Sequence, residues 1–132
     1  MDATFIKKLD SRQREAVKID ENAVVSAGAG SGKTTVLAGR YVRLICEKKA
    51  RIENILTLTF TRKAAAEMYA RIYSLLVNES DKPHVQEQLA QFDQAQIATI
   101  DSFCAQIVRN SSERFGVSPD FTITEETPGN LT

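Results

Sequence analysis

The sequence is poor in the residues that build disulfide frameworks, metal sites and membrane spans. Its 132 residues include two cysteines and one histidine, and without a CxxC spacing the cysteines favour a reducing compartment over a metal site. We expect Cys46 and Cys104 to lie in apolar helical surroundings as free thiols, and His84 to lie in a solvated loop or at a helix start. No apolar run of about 18 residues and no charged-then-apolar leader occurs, so we predict a cytoplasmic protein without membrane contact.

Net charge is also absent, because 17 basic side chains balance 17 acidic ones. The balance conceals an asymmetry: residues 1–76 carry fourteen basic and eight acidic side chains, whereas residues 77–132 carry three and nine. Such a split favours one face for polyanions, although ordinary solvated helix faces give the same pattern. With 42% hydrophobic residues, the chain has the size and composition of one globular domain.

What the sequence does contain is a glycine-rich segment with the spacing of a phosphate-binding loop. Residues 27–34 read Ala-Gly-Ala-Gly-Ser-Gly-Lys-Thr, between an apolar run and a helix-forming stretch. Glycines let backbone N–H groups approach phosphate oxygens, Lys33 offers a positive charge to the β- and γ-phosphates, and the Thr34 hydroxyl suits Mg²⁺. The predicted nucleotide site comprises Ala27, Gly28, Ala29, Gly30, Ser31, Gly32, Lys33, Thr34 and Thr35.

One position in this loop departs from the motif. The motif has glycine where this chain has Ala27, so the first turn must avoid positive φ or carry strain. A glycine-rich linker that happens to contain Gly-Lys-Thr is the alternative.

Short apolar runs alternate with amphipathic helical patterns along the chain. The runs predict strands, at residues 22–26, 55–60, 97–100 and 121–123. The helical patterns predict five helices. The first begins at a cap, Asp10 or Ser11, the second covers 35–46 with Leu37, Tyr41, Leu44 and Ile45 facing inward, and the third covers 62–77. A fourth begins at Pro83, and a fifth is capped by Asp101 or Ser102 and ends at Gly116.

This alternation predicts an α/β fold in which helices cover a parallel sheet on both faces. Ligands bind beyond the carboxyl ends of such strands. Because residues 27–34, 59–63 and 99–103 all fall at predicted strand ends, we expect them to meet along one rim.

Three segments, in this order, resemble the first RecA-like domain of UvrD/Rep-type superfamily 1 DNA helicases. They are the phosphate loop, residues 58–68 (LTFTRKAAAEM) and residues 98–104 (ATIDSFC). The resemblance implies a P-loop NTPase fold, with residues 1–132 as the N-terminal portion of an ATP-binding domain and 124–132 as a frayed tail. It also implies an ATP-dependent, 3′-to-5′ DNA helicase that uses Mg²⁺ and moves on single-stranded DNA.

The resemblance carries roles for individual residues. It implies that Lys33 and Thr34 act in catalysis and that Gln13 binds the adenine edge, a helix-surface glutamine being the alternative. It also implies that the segments 58–68 and 98–104 contact single-stranded DNA. The candidate contact residues are Phe60, Thr61, Arg62, Lys63, Thr99, Ser102 and Phe103. Core burial is an equal alternative for Phe60.

Three stretches are most similar to the AddA/RecB helicase-nuclease branch: residues 88–90, 100–104 and 120–126. That similarity implies double-strand break processing, a nuclease elsewhere in the parent and, as partner, a second helicase-nuclease subunit. In the family, an acidic pair and arginines from a second domain complete the hydrolytic site. No strand ending in Asp-Glu follows residue 34, since Glu125 and Glu126 come too soon after the third segment and lack the flanking pattern. We therefore predict that the chain alone is inactive. The alternatives are a small P-loop kinase and a non-catalytic nucleic-acid-binding module.

Overall fold

A computed structural model describes residues 4–26, 28 and 32–124. Within them the α-helices are α1 (Ser11–Lys18), α2 (Lys33–Cys46), α3 (Arg62–Val77), α4 (Pro83–Ala90), α5 (Ile100–Asn110) and α6 (Ser112–Phe115). The strands are β1 (Leu56–Thr59) and β2 (Gln96–Thr99), and short 3-10 helices cover Thr4–Lys8, Ile52–Asn54 and Phe92–Gln94. The predicted α/β class is confirmed.

The two strands pair in parallel, with Leu56 opposite Gln96 and Thr59 opposite Thr99. A parallel pair needs a crossover connection, which here contains α3 and α4. Because both strands end at the same level, the segments that follow them start side by side. The predicted meeting of residues 59–63 and 99–103 at one rim follows directly from this register. The third segment predicted there, 27–34, lies partly outside the described residues.

Helix starts follow local hydrogen bonding. The Asp10 carboxylate accepts from the Gln13 N–H at 2.8 Å, which confirms it as the cap of α1. Pro83 is the first residue of α4, as predicted. The helix predicted to run from Asp101 or Ser102 to Gly116 is interrupted instead: α5 ends at Asn110, and Gly116, with φ 64°, ends the separate helix α6. The predicted bounds of α3, residues 62–77, are also confirmed.

The predicted cap of α5, Asp101 or Ser102, is wrong. The cap is Thr99, whose hydroxyl accepts from the Ser102 N–H at 3.1 Å. Strand β2 runs into α5 without a loop, so its last residue already has the extended backbone of a cap. Asp101 lies in the first turn instead, where its negative charge suits the positive end of the helix dipole.

The main core lies between helices α2, α3 and α4. Its largest fully buried side chains include Ile45, Ile72, Leu76 and Phe92, and the Phe92 ring lies 4.8 Å from that of Tyr69 and 5.4 Å from that of Tyr73. The predicted inward stripe of α2 is half right. Tyr41 and Ile45 are buried, whereas Leu44 is only partly buried and Leu37 is 41% exposed.

Close approach of α1 to α2 depends on one glycine. A Cβ atom at Gly39 would lie 2.8 Å from the Phe5 ring and 3.0 Å from the Val17 side chain. This glycine sits inside a helix, where alanine is intrinsically better by ~0.5–1 kcal/mol. The packing of α1 against α2 therefore explains why a glycine occupies the position.

Two predicted strands are absent from the described residues. Residues 22–26 have no regular structure, with Val24 98% exposed and Val25 45% exposed, and residues 121–123 are not a strand either. An apolar run becomes a strand only when a neighbour supplies ladder hydrogen bonds, and the described sheet consists of β1 and β2 alone.

The predicted covering of the sheet is only partly formed. Helices α3 and α5 both contact β1 and β2, and Thr57 of β1 is buried. Successive side chains of a strand point to opposite faces, and on the other face Leu56 and Leu58 are 46% and 36% exposed. One face of the sheet is therefore packed while the other stays half open.

The two thiols differ, contrary to the expectation that both are packed. Cys46 is buried in α2 whereas Cys104 is exposed on α5. His84 lies in the first turn of α4, as expected, but it is half-buried, and its Nε2 lies 2.9 Å from the Ala50 carbonyl oxygen. Among the described residues, no helix has both the length and the apolarity needed to span a membrane.

We predict that the two thiols react on different timescales. Burial raises the pKa of the Cys46 thiol to about 11, so it is neutral and inaccessible in the folded chain. With Ellman's reagent at pH 8, one equivalent is expected to react at once, and the second only as the chain unfolds. The variant Cys104→Ser should abolish the fast phase, and a fast phase that survives would contradict this assignment.

The same pKa shift predicts a loss of stability in alkali. The Cys46 pKa is higher in the folded chain than the ordinary thiol value of 9.0, so the folded state holds its proton more tightly. The contribution of the protonated Cys46 thiol to the free energy of unfolding is therefore complete below about pH 9 and is lost as the pH rises towards 11.

Candidate nucleotide and nucleic-acid sites

The first candidate site lies at the start of α2. Gly32 is the cap residue, with φ 81° and ψ 30°, and, having no side chain, it makes no side-chain capping bond to this end of the helix. A side chain at position 32 would be strained by the positive φ, and its Cβ would collide with Nε2 of Gln13. The N–H groups of the first turn point out of this end of α2, where the helix dipole is positive. Both features favour binding of an anion here.

A cavity of ≈ 470 Å³ lies beside this helix start. Its lining joins Gln13 of α1, Gly28 and Lys33, the last of which is exposed. The rest of the lining is mixed, with polar Asp10, Arg12 and Ser26 beside apolar Ala16, Val25 and Val36. Three residues predicted to bind the nucleotide are thus brought together, whereas Ala27, Ala29, Gly30 and Ser31 lie outside the described residues.

Gln13 also has a structural task. Its Oε1 accepts from the Asp10 N–H at 3.2 Å, which completes a capping box at the start of α1. The box fixes the amide at the wall of the cavity rather than on the open helix surface. A role in binding adenine stays a prediction.

A buried arginine anchors the chain that leads into the loop. Arg43 of α2 is 8% exposed, and its guanidinium contacts Asp20 at 2.8 Å and Glu47 at 3.0 Å. It also donates to the Val17 carbonyl at 3.4 Å. Hydrogen bonds from Arg43 and Lys48 lower the pKa of Asp20 below 3.8, so this anchor weakens only when acid protonates the carboxylate.

Lys33 borders a second cavity of ≈ 690 Å³ on the same side of α2, together with Asp20, Glu21, Leu37 and Arg40. No pattern in the sequence indicated this cavity. It follows from the lack of a strand at the described residues 22–26, which leaves Val25 and Leu37 partly uncovered.

The two threonines after Lys33 differ in their surroundings. Thr34 is exposed at the helix start, and its role as a Mg²⁺ ligand stays a prediction. The Thr35 hydroxyl accepts from Arg71 of α3 at 2.8 Å. Sequence reasoning missed this bond, which ties the start of α2 to the helix that begins at Arg62. Within the described ranges, no cluster of three His, Cys, Asp or Glu side chains is placed to hold a metal.

The second candidate site is a cavity of ≈ 600 Å³ at the carboxyl ends of β1 and β2. It is lined by Phe60, Thr61 and Arg62 after β1, by Thr99, Asp101 and Ser102 after β2, and by Ile123. We call this cavity the rim groove. Phe60 is 89% exposed, so its interpretation as a core residue is wrong.

The hydroxyl groups of the rim groove are partly committed to helix caps. Thr61 accepts from the Ala64 N–H at 3.1 Å, and Thr99, only 7% exposed, donates to Ser102 Oγ at 2.8 Å. The exposed residues of the groove are Phe60, Thr61, Arg62, Asp101, Ser102 and Ile123.

Two predicted contact residues lie outside the rim groove. The Lys63 side chain is 87% exposed and sits 4.0 Å from the Glu67 carboxylate, one turn along α3. Phe103 is partly buried and lines a separate cavity with Ile55, Leu56 and Ile107. The register of α5 turns the Phe103 ring away from Ser102, because adjacent helical residues point in different directions.

The match to known families agrees with this arrangement. The family model described as UvrD/REP helicase N-terminal domain matches residues 9–130. The chain belongs to the UvrD/REP helicase family. The resemblance found in the sequence is thereby confirmed, and both candidate sites lie within the matched region of this family.

Curated relatives include two kinds of UvrD-type protein. The A subunit of an ATP-dependent helicase/nuclease from Lachnoclostridium phytofermentans is 42% identical over 113 residues, covering 81% of this chain and 8% of that protein. The protein of the same name in Clostridium acetobutylicum is 39% identical over 122 residues, covering 87% and 10%. An "ATP-dependent DNA helicase PcrA" of Staphylococcus epidermidis is 38% identical over 124 residues, covering 93% and 15%.

These relatives are much longer than this UvrD/REP chain, which spans 8 to 10% of the two helicase/nuclease proteins and 15% of PcrA. The helicase/nuclease proteins match the predicted AddA branch. The chain therefore matches the family's N-terminal domain model and covers a small part of each named relative.

Proposed function

We propose that this chain is the ATP-binding portion of an ATP-dependent DNA helicase of the AddA helicase/nuclease kind. In the parent, ATP hydrolysis would drive 3′-to-5′ movement along single-stranded DNA, and its partner would be a second helicase-nuclease subunit. One observation carries the proposal: Lys33 stands at a helix start whose cap residue is a glycine, and it shares a cavity with Gln13 and Gly28.

For the nucleotide, the proposal assigns roles to Gln13, Lys33 and Thr34. Lys33 neutralises the β- and γ-phosphates, and the first-turn amides of α2 bind their oxygens. Thr34 holds Mg²⁺ together with those phosphates. The Gln13 amide both donates and accepts, which suits the adenine edge, and the apolar cavity side chains Ala16 and Val36 suit its faces. This supports a P-loop, RecA-like fold for the parent domain.

For DNA, the proposal uses the rim groove. The exposed Phe60 ring gives a base a surface for stacking, and Arg62 and Ser102 can reach phosphates. Lys63 adds a nearby positive charge. Thr35 and Arg71 join the nucleotide loop to α3, whose first residue is Arg62, so the proposed ATP and DNA sites share one helix.

The test is nucleotide binding. With a fluorescent ATP analogue and Mg²⁺, Lys33→Ala is expected to weaken binding about tenfold or more, since a hydrogen bond to a charged group contributes ~1.5–3 kcal/mol. Lys8→Ala removes the same charge from an exposed 3-10 helix and should leave binding unchanged. Equal affinities of Lys33→Ala and wild type would refute the nucleotide site.

Hydrolysis gives a second readout on the same protein. We propose that the 132-residue chain binds ATP without turning it over, because the family's acidic pair and second-domain arginines supply the remaining catalytic charges. Steady ATP turnover that is abolished by Lys33→Ala would contradict this part.

A non-catalytic nucleic-acid-binding module is the second candidate, favoured by the exposed Phe60 and by the excess of basic residues before residue 77. Such a module would bind DNA with an affinity that depends on salt but not on ATP, and Lys33→Ala would leave this affinity unchanged. Under the leading proposal, Lys33→Ala instead removes ATP binding and any effect of ATP on DNA affinity.

A further inference from the structure

The described chain continues past α6 and returns towards the sheet. Gly116 takes a left-handed conformation with φ 64° and redirects it. A turn follows, in which the Phe121 N–H donates to the Ser118 carbonyl at 3.2 Å. Residues 121–124 then run without regular structure. We call residues 121–124 the return segment.

One arginine holds the return segment against α5. Arg109 donates from Nη2 to the Phe121 carbonyl at 3.2 Å, and its guanidinium carbon lies 4.8 Å from the centroid of the Phe121 ring. A hydrogen bond and a cation–π contact on the same residue fix both its backbone and its ring.

The return segment reaches the rim groove through Ile123. This side chain lines the groove together with Phe60 and Arg62, which lie about sixty positions earlier in the sequence, and it is 55% exposed. Among the residues that line the groove, Phe60 and Ile123 are the large apolar ones, and the others are polar. An exposed aromatic and an exposed aliphatic side chain in one groove suit a flat partner with two apolar faces.

We infer that the return segment is a wall of the single-strand groove, in which Ile123 packs on a nucleobase bound at Phe60. Arg109 is then a positioning residue, because it does not line the groove and its guanidinium is engaged with Phe121. This inference rests on the proposed DNA site at the rim groove. A base presents a π-face whatever its identity, so the contact tolerates any sequence.

Binding of the 132-residue chain to a fluorescein-labelled oligothymidine, followed by fluorescence anisotropy, tests the wall. Ile123→Ala is expected to weaken binding about fivefold. It removes three carbon atoms, each contributing about fourfold when fully buried, and a base resting on one side of Ile123 would cover them only in part. Ile107→Ala is the matched control, since Ile107 is similarly exposed on α5 but lines a different cavity. It should leave affinity unchanged.

A salt titration tests whether Arg109 acts through the return segment. Arg109→Ala should weaken binding about as much as Ile123→Ala while leaving the slope of log K against log salt unchanged. A direct phosphate contact would instead lower that slope by about 0.7. Arg114→Ala, which removes an exposed charge from α6, controls for net charge. Adding Arg109→Ala to Ile123→Ala should bring little further loss, since both remove one wall.

The outcomes separate the inference from the proposal beneath it. If Phe60→Ala weakens binding but Ile123→Ala and Arg109→Ala do not, the wall is refuted and the DNA site stands. If Phe60→Ala also has no effect, or wild type does not bind, the rim groove is not a DNA site and the inference falls with it. Tighter binding by Ile123→Ala would show that the return segment obstructs the groove, and a changed salt slope for Arg109→Ala would refute its positioning role.

Discussion

Replacing Phe92 by alanine is expected to lower the free energy of unfolding by ~3–5 kcal/mol. The ring is 2% exposed and lies within 5.4 Å, centroid to centroid, of both Tyr69 and Tyr73. Truncation therefore opens a cavity beneath α3 and removes two aromatic contacts, each contributing ~0.5–1.5 kcal/mol. Urea denaturation followed by circular dichroism measures the loss.

The matched control is Phe115→Ala. Phe115 is 57% exposed on α6, so its truncation should cost no more than about 1 kcal/mol. Small domains are stable by only ~5–15 kcal/mol in total, so the Phe92 variant is expected to be near its unfolding threshold at room temperature. Equal losses in the two phenylalanine variants would show that Phe92 is not a core residue.

Replacing Gln88 by alanine is expected to lower the free energy of unfolding by ~2–4 kcal/mol, from a lost hydrogen bond and a new cavity. Gln88 of α4 is 1% exposed, and its Oε1 accepts from the Ile52 N–H at 2.9 Å. Without it, the N–H of another fully buried residue has no acceptor there. This N–H precedes β1, so the variant should also loosen the strand that leads to the rim groove.

Two further variants isolate the Gln88 hydrogen bond. Gln88→Met keeps most of the side-chain volume but removes the hydrogen-bond acceptor. It should therefore still lower the free energy of unfolding, by ~1–3 kcal/mol. Gln86→Ala is the control on the same helix, since Gln86 is exposed and donates to the Ser80 carbonyl at 2.7 Å. A Gln88→Ala loss no larger than that of Gln86→Ala, with both measured by urea denaturation, would contradict the role of this bond.

Features that depend on neighbouring residues can be predicted from the sequence. Asp10 caps α1, Pro83 starts α4 and Gly116 ends α6 because each acts within one turn of its own position. Arg62–Val77 forms a helix with the predicted bounds because its periodic apolar residues and its Thr61 cap agree. The cap of α5 is harder to place, since several polar or β-branched candidates compete within four positions.

Features that depend on distant partners could not be predicted. The apolar run at residues 22–26 has the composition of a strand, yet no described strand pairs with it. Gln88 looks like a surface residue until Ile52 is placed beside it, and Leu37 looks like a core residue until α2 is rotated against α3 and α4. The bond between Thr35 and Arg71 spans 36 positions and leaves no local signal.

The sequence by itself determined the positions of the helices α1 to α5, the two strands β1 and β2 and the family, because these rest on short-range periodicity, capping and motif spacing. It did not indicate the break that separates α5 from α6. Only the tertiary structure decided that Phe60 is exposed, that Phe103 leaves the rim groove and that Ile123 enters it. The physical reason is that burial and cavity lining arise from the register between elements, which is fixed by packing across the whole chain rather than by any one segment.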